Sequence, residues 1–244
     1  MTSWRRGSQP ARSRLGSLDV AQLHRAILRG FASLAFPPAC PACGDPVQDA
    51  PLPCPSCDTE LRGLWESMTT CGPGSEDLMS ALPVEGACRE LVHRMKYQGN
   101  QAAAALLAQL MTARLEEWLP HAPGAVLIPV PLHPVRLRER GFNQAERLAR
   151  RIARRVGLEV RTDILIRTRF TKSLTTLAAE ERRLAVAGAF KLRRPPPVSR
   201  PLVLVDDVWT TGATASACID LLLRKEAPRP VRVLTAARTP APSD

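Results

Sequence analysis

The sequence has few aromatic residues, few lysines and no long apolar run. Aromatic residues make up 4% of the 244 residues, and only four of the 34 basic residues are lysine. Proteins that hold single-stranded nucleic acid by stacking bases on aromatic side chains usually contain more aromatic residues, so the composition argues mildly against a dedicated module of that kind. No apolar run reaches the roughly 18 residues that a membrane-spanning helix requires.

The N-terminal residues 1–17 are basic, and no apolar region follows them. We therefore expect a disordered basic lead and not a secretion signal. This predicts a cytoplasmic, reducing location, where cysteines are more often metal ligands or core residues than disulfides. The net charge of +11 points to anionic partners, either nucleic acid or phosphorylated small molecules. An arginine-rich surface without such a role fits the charge equally well.

The chain length and an apolar content of 45% predict one main domain with a smaller appendage. We divide the chain into a basic lead with an N-terminal helix (1–35), a Pro- and Cys-rich, zinc-finger-like domain (36–75) and the main domain (76–244). The helix of the first part is predicted at residues 18–34, where apolar residues recur at helical spacing.

The main domain shows strands that alternate with helices. Helices are predicted at 78–97, after a short strand near 82–84, and at 101–118. From residue 125 onward the predicted strands are 125–130, 202–207 and 231–238, and residues 159–168 are predicted to contain a further strand. The helices between them are predicted at 143–157, 177–187 and 213–225, and residues 191–201 form a linker. Buried strands alternating with helices predict an α/β fold, with a parallel sheet covered by helices on both faces.

One segment of the main domain, residues 202–214, carries the strongest functional pattern. An apolar strand ends in Asp206 and Asp207, at the edge where parallel sheets bind ligands. A short loop then begins a helix, whose free N–H groups can bind a phosphate. The loop residues are Thr210, Thr211, Gly212, Ala213 and Thr214. The pattern predicts that the loop binds a 5′-phosphate and that the two carboxylates accept hydrogen bonds from the attached ribose. An ordinary strand–turn–helix with a polar turn is the alternative.

A second segment combines a strand with a basic loop. Pro131, Leu132 and His133 follow the strand, and Arg136, Arg138 and Arg140 precede a helix that Asn143 can cap. Lys96 lies near the end of another predicted helix, before Gly99, where it could reach a phosphate or merely complement the helix dipole.

Two Cys-x-x-Cys pairs, Cys40/Cys43 and Cys54/Cys57, are ten residues apart and can supply four thiolates to a tetrahedral zinc ion. A redox pair is the alternative. Such a site is closed, so we expect a structural zinc. Cys71 could replace one ligand, and Cys218 is expected in the core.

The order of strand, Asp-Asp, two spacers and Thr-Thr-Gly-Ala-Thr resembles the signature of type I phosphoribosyltransferases. Three segments resemble the ComF family of competence proteins (ComFC-like phosphoribosyltransferases). They are residues 93–100, residues 167–190 and the motif Pro-Leu-His-Pro-x-Arg-x-Arg-x-Arg-Gly-Phe-Asn-Gln at residues 131–144. The resemblance covers most of residues 36–240. Family members usually carry Gln at the position of Leu174 and Asn near Ala185. Both positions fall in segment 168–185, which the resemblance implies is a mobile hood.

The resemblance implies the type I phosphoribosyltransferase fold, preceded by a small zinc finger with four cysteine ligands. It also implies binding of phosphoribosyl pyrophosphate with Mg²⁺, and transfer of ribose 5-phosphate to an acceptor that the sequence does not name. Asp206 and Asp207 would orient the ribose, and Arg136 and Arg140 would stabilise the leaving pyrophosphate. The alternative that the family suggests is a non-catalytic protein that handles single-stranded DNA in natural transformation, beside a competence helicase.

Overall fold

The computed structural model of the chain describes residues 38–47, 53–68, 78–170, 186–197, 199–223 and 231–240. The predicted N-terminal helix, Cys71, Leu174 and Ala185 lie outside these residues, as does nearly all of the predicted helix 177–187. Within the described residues, no helix is both long enough and apolar enough to cross a membrane.

The described part of the chain contains seven strands and six α-helices. The strands are Leu78–Pro83 (β1), Val126–Pro129 (β2), Glu159–Val160 (β3), Leu165–Arg167 (β4), Phe190–Leu192 (β5), Leu202–Trp209 (β6) and Val231–Arg238 (β7). The helices are Pro55–Ser67 (α1), Gly86–Tyr97 (α2), Gln101–Glu116 (α3), Pro134–Arg140 (α4), Gln144–Val156 (α5) and Ala213–Leu223 (α6). A 3-10 turn, Leu119–His121, lies between α3 and β2.

Five strands form one parallel sheet in the order β1-β7-β6-β2-β3. The strand β6 is central, with Val203 opposite Leu127 of β2 and Leu204 opposite Val233 of β7. The connections from β2 and from β6 continue to opposite sides of the sheet. Ligands of open α/β sheets bind at such a switch point, outside the carboxyl ends of the strands.

Successive residues of each strand contribute to two cores, because side chains alternate between the faces of a sheet. Val203 and Val205 pack in the core that α2, α3 and α5 cover, whereas Leu202 and Leu204 pack against α6 and the strands β4 and β5. The predicted α/β class, with helices on both faces of a parallel sheet, is confirmed. The antiparallel pair β4–β5 is an addition that the sequence did not predict.

Three local predictions were wrong. Residues 78–83 form a strand, so the helix predicted from residue 78 starts only at Gly86. The basic loop after β2 is the helix α4: His133 Nδ1 accepts a hydrogen bond from the Val135 N–H, Pro134 is the first helical residue, and Gly141 ends the helix with φ +77°. The strand β5 extends into the predicted linker.

Candidate functional site

The loop between β6 and α6 is shaped by a contact between Gly212 and Trp209. Gly212 has φ +76°, which favours glycine, and a Cβ atom at this position would lie 2.5 Å from Cζ2 of Trp209. Ser216 N–H donates to the Gly212 carbonyl oxygen at 2.8 Å, which starts the hydrogen bonding of α6. The N–H groups of Ala213, Thr214 and Ala215 precede this bond and have no partner within the helix. They are the donors that a phosphate would use.

The two adjacent carboxylates point to opposite faces of the sheet. Asp206 lines a cavity of about 150 Å³ together with the loop residues Thr210, Thr211, Gly212, Ala213 and Thr214. Asp207 is only 4% exposed and faces α2 on the other side. The Oδ1 atoms also bind local backbone: Asp206 accepts from Asp207 N–H at 2.8 Å, and Asp207 accepts from Val208 N–H at 3.0 Å. The two aspartates are therefore not equivalent in what they can bind.

Lys96 forms an ion pair with Asp207. Its Nζ atom lies 2.6 Å from Asp207 Oδ2, and the side chains are 20% and 6% exposed. Burial lowers the pKa of Lys96 to about 8, with Asp206 opposing this shift and Arg140 adding to it. The ammonium group still keeps its proton at pH 7, and the carboxylate of Asp207 favours the charged form further. The pair fixes a cation beside the carboxyl end of β6.

A second cavity, of about 490 Å³, contains most of the predicted cations. Lys96, Arg136 and Arg140 line it, together with Arg147 and, among the described residues, the single acid Glu139. Arg136 Nη1 donates to Glu139 Oε2 at 2.9 Å, and Arg140 Nη1 donates to Gln144 Oε1 at 2.7 Å. The cavity therefore carries a net positive charge, and it can hold an anion with several negative charges. Arg138 is exposed and does not line the cavity.

One residue near Asp206 was missed by the sequence analysis. Burial of the carboxyl raises the pKa of Asp206 to about 6. The charges of Lys96 and of Arg167, which lies at the end of β4, oppose this shift. The guanidinium of Arg167 lies 5.3 Å from the ring centre of Phe190 in β5. No local pattern identifies Arg167, because its position depends on packing of the β4–β5 pair against α6 and the sheet.

The raised pKa of Asp206 predicts a cost in stability at neutral pH. The pKa of Asp206 is about 6 in the folded protein and 3.8 without the surrounding structure, so the folded state binds the proton more tightly than the unfolded state does. Protonation of Asp206 therefore stabilises the fold. The stabilisation by protonation of Asp206 is fully present below about pH 4 and is lost as the pH rises through 6. We expect Asp206→Asn to increase the free energy of unfolding at pH 8 by about 1–3 kcal/mol.

The measurement is the denaturation midpoint of both proteins between pH 5 and 8. The gain from Asp206→Asn should shrink as the pH falls below 6. Asp220→Asn, which removes an exposed carboxylate in α6, serves as the control and should show no such trend. A constant gain for Asp206→Asn at every pH would contradict the argument.

The four cysteines of the two Cys-x-x-Cys pairs form one cluster. Their Sγ atoms all lie within 4.8 Å of one another, and Cys43 Sγ is 3.7 Å from Cys54 Sγ. A tetrahedral zinc ion with Zn–S bonds of about 2.3 Å holds its sulfur atoms about 3.8 Å apart, so the cluster fits this metal. Backbone N–H groups of Asp45 and Cys54 point at Cys43 Sγ and Cys40 Sγ at 3.5 and 3.4 Å. Such contacts stabilise thiolate ligands.

The cysteine cluster is tied to the main sheet through α1 and α2. Cys54 is the N-cap of α1, which packs against β1 and α2. Arg94 of α2 donates from Nη2 to the Cys43 carbonyl oxygen at 2.7 Å. Arg114 of α3 donates to the Trp65 carbonyl oxygen at 3.1 Å and lies 3.6 Å from the centre of the Trp65 ring. The sequence did not predict α1 or these arginines.

The parallel sheet with helices on both faces, preceded by a four-cysteine cluster, defines an α/β protein of the predicted class. DNA utilization protein YhgH of Escherichia coli O157:H7 is 32% identical over 193 residues, which are 77% of this chain and 79% of the relative. Competence protein F of Haemophilus influenzae Rd is 30% identical over 211 residues, 82% of this chain and 85% of the relative. The chain belongs to the ComF family.

A more distant relative is competence protein ComFC of Bacillus subtilis strain 168, 26% identical over 200 residues, with 82% of this chain and 78% of the relative covered. Among solved structures, TT1426 from Thermus thermophilus aligns with 58% of this chain and 83% of its own, at 17% identity and a TM-score of 0.32. No family model matches the chain.

Proposed function

We propose that the protein binds phosphoribosyl pyrophosphate at the carboxyl end of β6. The observation that carries this proposal is the cavity in which Asp206 and the loop Thr210–Thr214 lie together. The loop N–H groups and threonine hydroxyls would bind the 5′-phosphate, and Asp206 would accept a hydrogen bond from a ribose hydroxyl. Asp207 has a different role: its ion pair holds Lys96 in place.

The second cavity would hold the pyrophosphate group. Lys96, Arg136 and Arg140 supply positive charge there, and this charge would stabilise the negative charge of the leaving pyrophosphate. The reaction that we propose is transfer of ribose 5-phosphate. The bond from C1 to the pyrophosphate oxygen breaks, a bond from C1 to the acceptor nucleophile forms, and the acceptor's proton is released to water.

Mg²⁺ would accompany the substrate in this proposal. The ion takes most of its ligands from phosphate oxygens and water, with one or two carboxylates, and it would neutralise charge on the pyrophosphate. Asp206 is the carboxylate that fits, because it is partly exposed in the cavity, whereas Asp207 is buried against Lys96.

Calorimetric titration with phosphoribosyl pyrophosphate and Mg²⁺ tests the proposal. We expect micromolar binding by the wild type, and a loss of about 10- to 100-fold for Asp206→Asn, because a charged hydrogen-bond acceptor is removed while the Lys96–Asp207 pair remains. Asp220→Asn, the exposed acid in α6, should bind like the wild type. Absence of binding by folded wild-type protein would overturn the proposal.

We also propose that the cysteine cluster holds one structural zinc ion. Four thiolates leave no open coordination position for a substrate. The predicted division into lead, zinc-finger-like part and main domain remains a proposal too, and the contacts of α1 with β1 and α2 suggest that the second and third parts fold together.

Handling of single-stranded DNA in competence, in the cytoplasm and beside a helicase, is the second candidate function. It is favoured by the names of the relatives, which refer to competence and DNA utilization, and by the net charge of +11. Binding governed by phosphate contacts would weaken steeply with added salt. Phosphoribosyl pyrophosphate binding and DNA binding can be measured separately on the same protein.

A further inference from the structure

The helix α5 presents a row of arginines on one face. Arg147, Arg151 and Arg155 follow one another four residues apart, Arg154 lies beside Arg155, and the row extends over about 12 Å of helix axis. We call these four residues, together with Phe142, the arginine track. Arg154 and Arg155 are exposed. The opposite face of α5 is apolar and packs on the sheet, so the row is not required for the core.

The arginine track is continuous with the candidate active site. The cavity of about 490 Å³ that contains Lys96 shares Phe142 and Arg147 with a neighbouring cavity of about 400 Å³. That cavity in turn shares Arg151 and Arg154 with a third, of about 310 Å³, which ends at Arg155 beside α3. Three depressions thus follow one another along α5, and each is lined by arginine.

The positive charge along the track is not balanced by acids. Among the residues that the structure describes, only Glu139 and Glu146 line the three cavities, and each is already paired, Glu139 with Arg136 at 2.9 Å and Glu146 with Arg150 at 2.7 Å. Burial lowers the pKa of Arg147 and of Arg151, and the charge of the next arginine in the row lowers it further by a smaller amount. An extended ligand with repeated negative charges would relieve this repulsion.

Two aromatic side chains lie at the end of the track nearest the active site. Phe142 stacks on the Arg147 guanidinium, whose carbon is 3.4 Å from the ring centre. Tyr97 is 68% exposed and lies beside Arg140, 5.5 Å from the guanidinium carbon to the ring centre. Unpaired bases stack on such rings and on guanidinium planes, whereas the bases of a duplex are not accessible to them.

We infer that the arginine track binds the phosphates of a single-stranded polynucleotide, with one end of the strand directed toward the cavity that contains Lys96. The inference deepens the second candidate function and does not depend on phosphoribosyl transfer. It assigns the DNA contact to α5 and not to the net charge of the surface as a whole.

The test is fluorescence anisotropy of labelled oligothymidylate of about 12 nucleotides with the full chain, between about 50 and 200 mM salt. Arg154→Gln/Arg155→Gln removes two exposed charges of the track. We expect affinity about 10- to 30-fold lower than wild type near 100 mM salt, and a slope of log affinity against log salt that is smaller by about 1.4. Arg89→Gln/Arg193→Gln removes two exposed charges outside the three cavities and should change affinity less than about threefold.

Three outcomes would overturn the binding of a single strand along α5. They are equal weakening by the two double variants, tighter binding of a duplex of the same length, and the absence of salt-dependent binding by the wild type. Pyrophosphate should lower the affinity of wild type for the strand, and no competition would contradict the placement of the strand end. The Arg154→Gln/Arg155→Gln protein should bind phosphoribosyl pyrophosphate like the wild type, so failure of the track and failure of the first proposed function are distinguishable.

Discussion

Replacement of Cys57 by serine is expected to abolish stoichiometric zinc binding and to lower the free energy of unfolding by at least about 3 kcal/mol. Four thiolates within 4.8 Å of one another repel unless a cation holds them, and burial raises the pKa of Cys57 when no metal is bound. For a chain of this size, the expected fall in Tm is roughly 6–12 °C. Metal analysis of the purified protein and thermal denaturation are the two measurements.

Cys88→Ala is the matched control for the zinc prediction, because Cys88 is fully buried in α2 but is not a member of the cluster. It should keep one zinc per chain and lose stability only through the small cavity that it creates. If Cys57→Ser retained full zinc, a different ligand would have to replace Cys57. Cys71→Ser would then identify whether Cys71, which lies outside the described residues, is that ligand.

Gly212→Ala is expected to reduce the affinity for phosphoribosyl pyrophosphate by about 100-fold, or about 2.7 kcal/mol. The new methyl group would lie 2.5 Å from the Trp209 ring, and alanine disfavours φ +76°. The loop must therefore shift, and the N–H groups at the start of α6 would no longer converge on one phosphate. Calorimetric titration measures the affinity, and denaturation measures the cost to the fold.

Gly188→Ala separates the two causes of the expected loss. Gly188 has φ +67°, but no atom of the described residues lies within 4 Å of the position of its added Cβ, so this substitution adds backbone strain without a steric clash. It should destabilise the fold by about 1 kcal/mol and leave binding unchanged. A second substitution, Trp209→Leu, should restore part of the affinity of Gly212→Ala by removing the ring. Equal stability losses for the two alanine variants would contradict the steric argument.

The parallel sheet was predictable from sequence because its strands are continuous apolar runs between helices. The strand at residues 231–238 was predicted with the bounds that the structure has. The short helix α4 carries its own signals in Pro134 and Gly141, but a run with Arg at positions 136, 138 and 140 suggested a loop instead. Strand β1 was largely assigned to a helix, because its pairing partner β7 is far away in sequence.

The opposite orientations of Asp206 and Asp207 follow from the two-residue period of a strand, once β6 is known to extend to Trp209. The predicted strand, 202–207, also contained both residues, so the same alternation applied there, but both carboxylates were assigned to one ribose. The roles of Arg94, Arg114 and Arg167 could not be inferred in this way. Each depends on contacts between segments that are distant in sequence, and these contacts exist only after the helices and strands have packed.

The position of β7 between β1 and β6 delays completion of the sheet while the chain is being synthesised. Leu78 of the first strand pairs with Val233 of the last, so about 150 residues must be translated before β1 acquires its neighbour in the sheet. Until then the apolar side chains of β1 and α2 have an incomplete core around them. A nascent chain that stops before residue 231 therefore carries a complete β6 and the loop that follows it, yet it exposes an unpaired strand edge that invites aggregation.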